Sequence, residues 1–129
     1  MSELTQAMQD LPSFFAKGPV ELTDINKAEM MLGLTFAEEY IDYVREYGFI
    51  TFRGHELTGV CEAKRLSVVD VTEEEREYNP LIPHDLYVIE QTHIDGIVIW
   101  QNCSGKIYES MGQEPKVIAN SLKEYLNLQ

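Results

Sequence analysis

Basic residues are scarce in this 129-residue chain. Ten lysines and arginines face 22 aspartates and glutamates, a formal charge of −12. That shortage excludes a nucleic-acid binder, which needs a basic footprint. It also excludes attraction to an anionic membrane surface. The long-range field favours a basic partner instead, although acidity can also serve solubility alone. Cysteine is as sparse: Cys61 and Cys103 form no CxxC pair, and two cysteines cannot staple a small secreted domain. Both read as free thiols in a reducing compartment. No aliphatic or aromatic run is longer than that of Ile97 to Trp100, far below the length of a membrane span. The opening MSELTQAMQD has neither a basic start nor an apolar stretch, so no signal peptide is expected. The expected compartment is the cytoplasm. No repeat, low-complexity tract or linker interrupts the chain, and one domain over residues 1–129 is expected, long enough for a real core.

Helical periodicity dominates the first half. Leu4, Ala7, Met8 and Leu11 share a face within Ser2 to Leu11. Asp24 to Leu32 carries a stripe of Ile25, Ala28, Met31 and Leu32, with Thr23 as candidate N-cap and Gly33 as stop. Phe36 to Tyr47 is the strongest amphipathic segment, with Phe36, Tyr40, Tyr43, Val44 and Tyr47 on one side. Thr35 and Glu38 there have capping-box spacing. Gly48 stands where a helix ends on a residue of positive φ.

Strand signals dominate the second half. Ile50 to Val60 alternates weakly around Gly54 and Gly59, which predicts two short strands with bends. Leu66 to Val69 reads as a strand, and Thr72 to Tyr78 as a short helix with Thr72 and Glu75 as another capping box. Leu86–Gln91, Ile97–Gln101 and Lys106–Glu109, separated by turn residues, predict a three-stranded antiparallel meander. Ser121 to Leu128 closes as a helix, with Leu122, Tyr125 and Leu126 inward. Helices first and antiparallel strands later give an α+β fold: a mostly antiparallel sheet packed by several helices. Trp100 lies on the opposite side of its strand from Ile97 and Ile99; a buried position is favoured over an exposed one that would anchor a partner.

Catalytic and cofactor signatures are missing. His55-Glu56 has Gly59 where a zinc-protease helix needs its second histidine, and His84 and His93 lie far away. No metal or other cofactor is expected. Neither Cys61 nor Cys103 has the local signature of a nucleophile. Ser104-Gly105-Lys106 lacks the upstream glycine and following hydroxyl of a phosphate loop. The expectation is a binding protein, not an enzyme.

The candidate binding surface is an acidic stretch. Between Asp70 and Asp95 the acids are Asp70, Glu73, Glu74, Glu75, Glu77, Asp85, Glu90 and Asp95, with Arg76 as the one base. Glu73 to Glu75 would sit in the first turn of the predicted helix, where its dipole favours them. Glu77 and Asp85 have no such local reason. All eight are taken as candidate partner contacts.

The run LGLTFAEEYIDYVREYG, followed by GHELTG and IDGIVIWQ…SGKIYE, resembles the SUKH superfamily of Smi/Knr-type proteins. Within it the chain is similar to bacterial immunity proteins, in particular the YxxD-type antitoxins of LXG-type toxins. The likeness runs from about Asp24 to Leu126. It implies an antitoxin that binds and neutralises the C-terminal domain of a cognate polymorphic toxin. Many such toxins are nucleases, which are basic where they hold phosphate. A regulatory or scaffold role of the Smi/Knr type is the alternative.

Overall fold

The computed structural model describes residues 2–129. The chain runs α1 (Glu3–Gln9), β1 (Phe15–Ala16), α2 (Leu22–Leu32), α3 (Glu38–Tyr47), β2 (Ile50–Phe52), β3 (His55–Leu57), α4 (Val68–Tyr78), β4 (Tyr87–Gln91), β5 (Val98–Gln101), β6 (Ile107–Ser110), β7 (Lys116–Ala119) and α5 (Leu122–Asn127). A three-stranded antiparallel sheet has the order β1-β2-β3, and a four-stranded antiparallel meander the order β4-β5-β6-β7. The fold is α+β, as the sequence pattern predicts. The meander has one strand more than expected. Lys116–Ala119 is a four-residue edge strand with Lys116 and Val117 exposed, too short and too one-sided to show as alternation.

The four-stranded sheet is covered on both faces, and this decides where Trp100 goes. Tyr87, Ile89, Ile99 and Ile107 join the main core with α3 and α5. Val88, Val98 and Trp100 face the other way and pack with Val71 of α4 and with Ile82 and Leu86. Trp100 is fully buried and its Nε1 donates to Ser110 Oγ at 2.9 Å.

The main core is built on aromatic residues of α3. The Tyr87 ring lies 4.8 Å from Phe36 and 5.0 Å from Tyr40, and Tyr40 lies 5.5 Å from Tyr43. Each buried hydroxyl is satisfied, as a buried polar group must be. Tyr43 donates to Thr58 O (2.7 Å) and accepts from Ile50 N (3.1 Å). Tyr87 donates to Gln101 Oε1 (2.8 Å) and accepts from Ala37 N (2.9 Å). Tyr47 donates to Thr5 O on α1 at 2.7 Å. Thr58 Oγ1 donates to Val88 O at 2.7 Å, which leaves its lone pair for Tyr40 Oη at 2.9 Å.

Glycine permits one close crossing. Gly48 has φ 73°, the positive value expected of a helix stop, but ψ −68° takes it outside the left-handed helical region. A Cβ on Gly59 would lie 1.6 Å from Gly48 O, and one on Gly48 would lie 2.5 Å from Gly18 O. The segment after β3 therefore crosses the end of α3 backbone against backbone.

Several local readings change. The predicted strand 66–69 and helix 72–78 are one helix, α4, preceded by a 3-10 turn at Lys64–Leu66. Ser67 is the N-cap, its Oγ accepting from Asp70 N at 3.4 Å. The β-branched run Val68, Val69 and Val71 reads locally as strand, but burial of Val68, Val71 and Thr72 at helical spacing overrides that preference. Thr72 is not a cap: it is buried, and Oγ1 accepts from Val88 N at 3.0 Å. The Thr35–Glu38 box does not form either. Ala37 is the N-cap residue of α3 without a side-chain bond, and the loop is held instead by Glu29 of α2, whose Oε2 accepts from Phe36 N at 2.8 Å. Thr23 lies inside α2, whose N-cap residue is Glu21. The first helix is shorter than Ser2 to Leu11, with Ser2 capping it by accepting from Thr5 N.

Candidate protein-binding site

The acidic stretch falls on α4, on the loop that follows it, and on the β4–β5 turn. α4 buries Val68, Val71 and Thr72 against the meander and turns Asp70, Glu73, Glu74 and Glu77 to solvent. Because the helix begins at Val68, the run Glu73 to Glu75 stands past its first turn, where the dipole no longer favours carboxylates. Asp70 is the acid in the first turn. The local reason for the glutamate run is therefore absent.

Arg76 forms no close ion pair with these carboxylates. Its guanidinium turns inward: Nη2 donates to His84 O at 2.7 Å, and both terminal nitrogens donate to Leu32 O at 3.3 Å. Burial lowers its pKa, opposed by the nearby charge of Glu73. The one base of the stretch is thus committed to backbone carbonyls. Among the described residues the ion pairs are His55–Glu90, Arg65–Glu56 and Lys123–Glu3. Asp70, Glu73, Glu74, Glu77, Asp85 and Asp95 are exposed and belong to none of them.

Two of the eight candidates are used differently. Glu90 is a correction: it is buried, 3% exposed, and cannot meet a partner. Strict alternation would turn it toward α4, but an irregularity between Val88 and Glu90 shifts the register and pairs Glu90 with Ile99 on the main-core face. There it accepts from Tyr125 Oη at 2.6 Å and pairs with His55 Nδ1 at 2.8 Å. Glu75 is half-buried, its Oε2 accepting from Gln91 Nε2 at 2.6 Å. That leaves it at the edge of the surface rather than on it.

Asp70, Glu73 and Asp95 border two hollows, one on each side of α4, while Glu74, Glu77 and Asp85 line neither. The larger, about 720 Å³, lies between α2 and α4. Its apolar lining includes Val20, Ala28, Met31, Val60 and Val69, and its carboxylates are Glu21, Asp24, Glu62, Asp70 and Glu73. Lys17 and Lys27 are the bases there. The smaller, about 240 Å³, is lined by Glu75, Tyr78, Asp95 and Met111, with Trp100 and Ser110 also lining it. Tyr78 is 76% exposed and Met111 55% exposed, large apolar side chains left on the surface beside carboxylates.

Among the described residues the His55–Glu90 pair is the one arrangement with a catalytic look, since a carboxylate that fixes an imidazole is how general bases are oriented. Sequence reasoning missed it, because its members lie 35 residues apart and the bulge that turns Glu90 inward leaves no composition signal. Among the described residues no hydroxyl or thiol hydrogen-bonds His55. The imidazole stacks on Phe52, 4.9 Å between ring centroids. Cys61 Sγ instead donates to Ala63 O at 3.5 Å, and burial raises its thiol pKa, which lowers the thiolate fraction. Cys103 is an exposed turn residue. Among the described residues no group of three or more His, Cys, Asp or Glu side chains is placed to hold a metal ion. No helix among them is long and apolar enough to cross a membrane.

Residues 1–128 match a family model described as SUKH_5, SMI1-KNR4 cell-wall. The chain belongs to the SUKH superfamily. No curated protein matches it. The match covers the acidic helix, both hollows and all of the meander, so the surface described above is part of the SUKH domain and not an addition to it.

Proposed function

We propose that this SUKH protein is a non-catalytic immunity protein of the bacterial cytoplasm. It binds and neutralises a cognate toxin domain, a basic nuclease of the LXG-type systems, through the outer face of α4. The observation that carries the reading is the excess of exposed negative charge: Asp70, Glu73, Glu74, Glu77 and Asp85 are exposed and in no ion pair among the described residues, with Arg76 the one base of the stretch. Such a surface suits the phosphate-holding face of a nuclease and steers association over distance. Asp95 and the exposed Tyr78 extend it around the small hollow beside Trp100.

The test is the association rate with the cognate toxin domain against ionic strength, for the wild type and for Glu74→Lys/Glu77→Lys/Asp85→Lys. These exposed carboxylates contribute little to stability, so folding should change little. Association should slow by about tenfold or more at low salt, and the difference should shrink as the Debye length falls to about 3 Å at 1 M salt. Equal rates at low salt would remove this surface from recognition. The family description, which names the cell wall, favours a second reading: a regulatory or scaffold protein of the Smi/Knr type. Weak, salt-tolerant binding to several partners, with none bound tightly, is the outcome that supports it.

A further inference from the structure

We propose that the groove between α2 and α4 receives a basic amphipathic segment of the protein partner, apolar side inward. The inference rests on the binding-protein reading above and adds where and how the partner is held. Three features of the groove point to this occupant.

The first is its mixed lining. Val20, Ala28, Met31, Val60 and Val69 supply apolar surface, and Met31, expected from the sequence pattern in the buried stripe of α2, is 67% exposed. Methionine adapts to the shape of what docks on it. The second is the sign of the rim. Five carboxylates, Glu21, Asp24, Glu62, Asp70 and Glu73, stand against Lys17 and Lys27. A cationic residue on the flank of a docked segment meets an acid on either wall, since Asp24 belongs to α2 and Asp70 and Glu73 to α4. The same rim rejects phosphate and nucleic acid. The third is size: about 720 Å³ is room for several side chains of a helix or extended segment rather than for one. A second copy of this chain is a poor occupant, because each copy carries −12 and like charges repel.

The chain carries its own reporter. Cys61 lines the groove and is half-buried, while Cys103 is exposed and is not among the residues that line it. The experiment follows the alkylation rate of each thiol by mass spectrometry in the full chain. The probe is a leucine–lysine amphipathic peptide about four helical turns long. A peptide of the same composition in scrambled order is the control. Binding of both is followed separately by fluorescence anisotropy. The expected result is that the amphipathic peptide slows Cys61 by about tenfold at saturation and leaves Cys103 unchanged, and that the scrambled peptide does neither. Glu62→Lys/Glu73→Lys should weaken binding of the amphipathic peptide by about tenfold or more. Both residues are exposed and neither lies in the first turn of a helix, so the fold should survive. Three results would overturn the proposal: no binding of the amphipathic peptide, binding without protection of Cys61, or equal protection of Cys103. With a cognate toxin domain the two readings separate. A toxin domain that binds while Cys61 stays reactive, and that ignores Glu62→Lys/Glu73→Lys, removes the groove and keeps the immunity reading. Peptide capture in the groove with no toxin domain bound does the reverse.

Discussion

The two faces of the four-stranded sheet are closed by different chemistry. On the α3 side the closure is aromatic and hydrogen-bonded. The hydroxyls of Tyr40, Tyr43 and Tyr87 and the side chain of Gln101 reach backbone and side-chain groups on other elements. On the α4 side the closure is mostly aliphatic, Val71, Val88 and Val98 around Trp100, and helix and strand are linked by two bonds, Val88 N to Thr72 Oγ1 in the interior and Gln91 Nε2 to Glu75 Oε2 at the edge. Hydrogen-bonded closure fixes position closely, because each misplaced group becomes a buried unpaired one. Aliphatic closure tolerates adjustment. The difference places rigidity under α3 and leaves the exposed acidic charge on the helix with the more adaptable seat.

The largest expected effect lies at the glycine crossing that supports the α3 side. Gly59→Ala places a Cβ 1.6 Å from Gly48 O, a backbone atom that cannot turn away. Cooperative folding should be lost, a cost above about 4 kcal/mol. Urea unfolding checks it, and a midpoint close to that of the wild type would show that the crossing yields.

Next in size is a matched pair across the sheet. Tyr43→Phe removes one hydroxyl and leaves Thr58 O and Ile50 N without their partner in the buried core. Its expected cost is about 3 kcal/mol, from two orphaned groups at about 1–3 kcal/mol each with partial relaxation. Thr72→Val on the α4 side orphans only Val88 N, at about 1–2 kcal/mol. The order of the two is the point. Equal costs in the same denaturation assay would erase the distinction between the faces.

Much of this was legible in the sequence. The α3 stripe of Phe36, Tyr40, Tyr43, Val44 and Tyr47 has helical spacing, and all five side chains are buried. Strands 87–91 and 98–101 lie within the predicted meander, and 107–110 runs one residue past its predicted end at Glu109. What could not be read depended on distant residues. Thr35 caps nothing because Glu29 of α2 holds the loop before α3, and Thr72 became a buried acceptor because β4 lies against it. The same limit applies at the candidate site. Acidity of the stretch 70–95 is a matter of composition, so it was visible. That Arg76 turns inward, that Glu90 is rotated into the core by a bulge, and that Asp70 and Glu73 share a groove with α2 are tertiary facts. The two hollows join residues from separated segments, such as Tyr78 with Met111, and no local pattern marks them.

The smallest effect sharpens the contrast between an acid used inside the fold and those left on α4. Glu39 projects from α3 toward the end of the meander. Its Oε1 accepts from Leu122 N at 2.6 Å, at the start of α5, and from Gln101 Nε2 at 2.7 Å. Burial raises its pKa from 4.5 and outweighs these bonds, which lower it. The sign follows from linkage. A carboxyl that holds its proton more tightly in the folded state stabilises the fold when protonated. That contribution is present below 4.5 and is lost as pH rises from 4.5 through the folded value. Glu39→Gln keeps an acceptor oxygen and removes the titration. The stability difference, variant minus wild type, should therefore move in favour of the variant as pH rises through that window and level off above it. Urea unfolding of both proteins from about pH 4 to about pH 7 isolates this carboxyl, because the other titrations cancel in the difference. A difference that stays flat with pH would mean that the bonds to Leu122 and Gln101 just offset the burial of the charge, and one that moves in favour of the wild type would mean that they outweigh it. Glu39 would then be a net anchor between α3 and α5 in its ionised form.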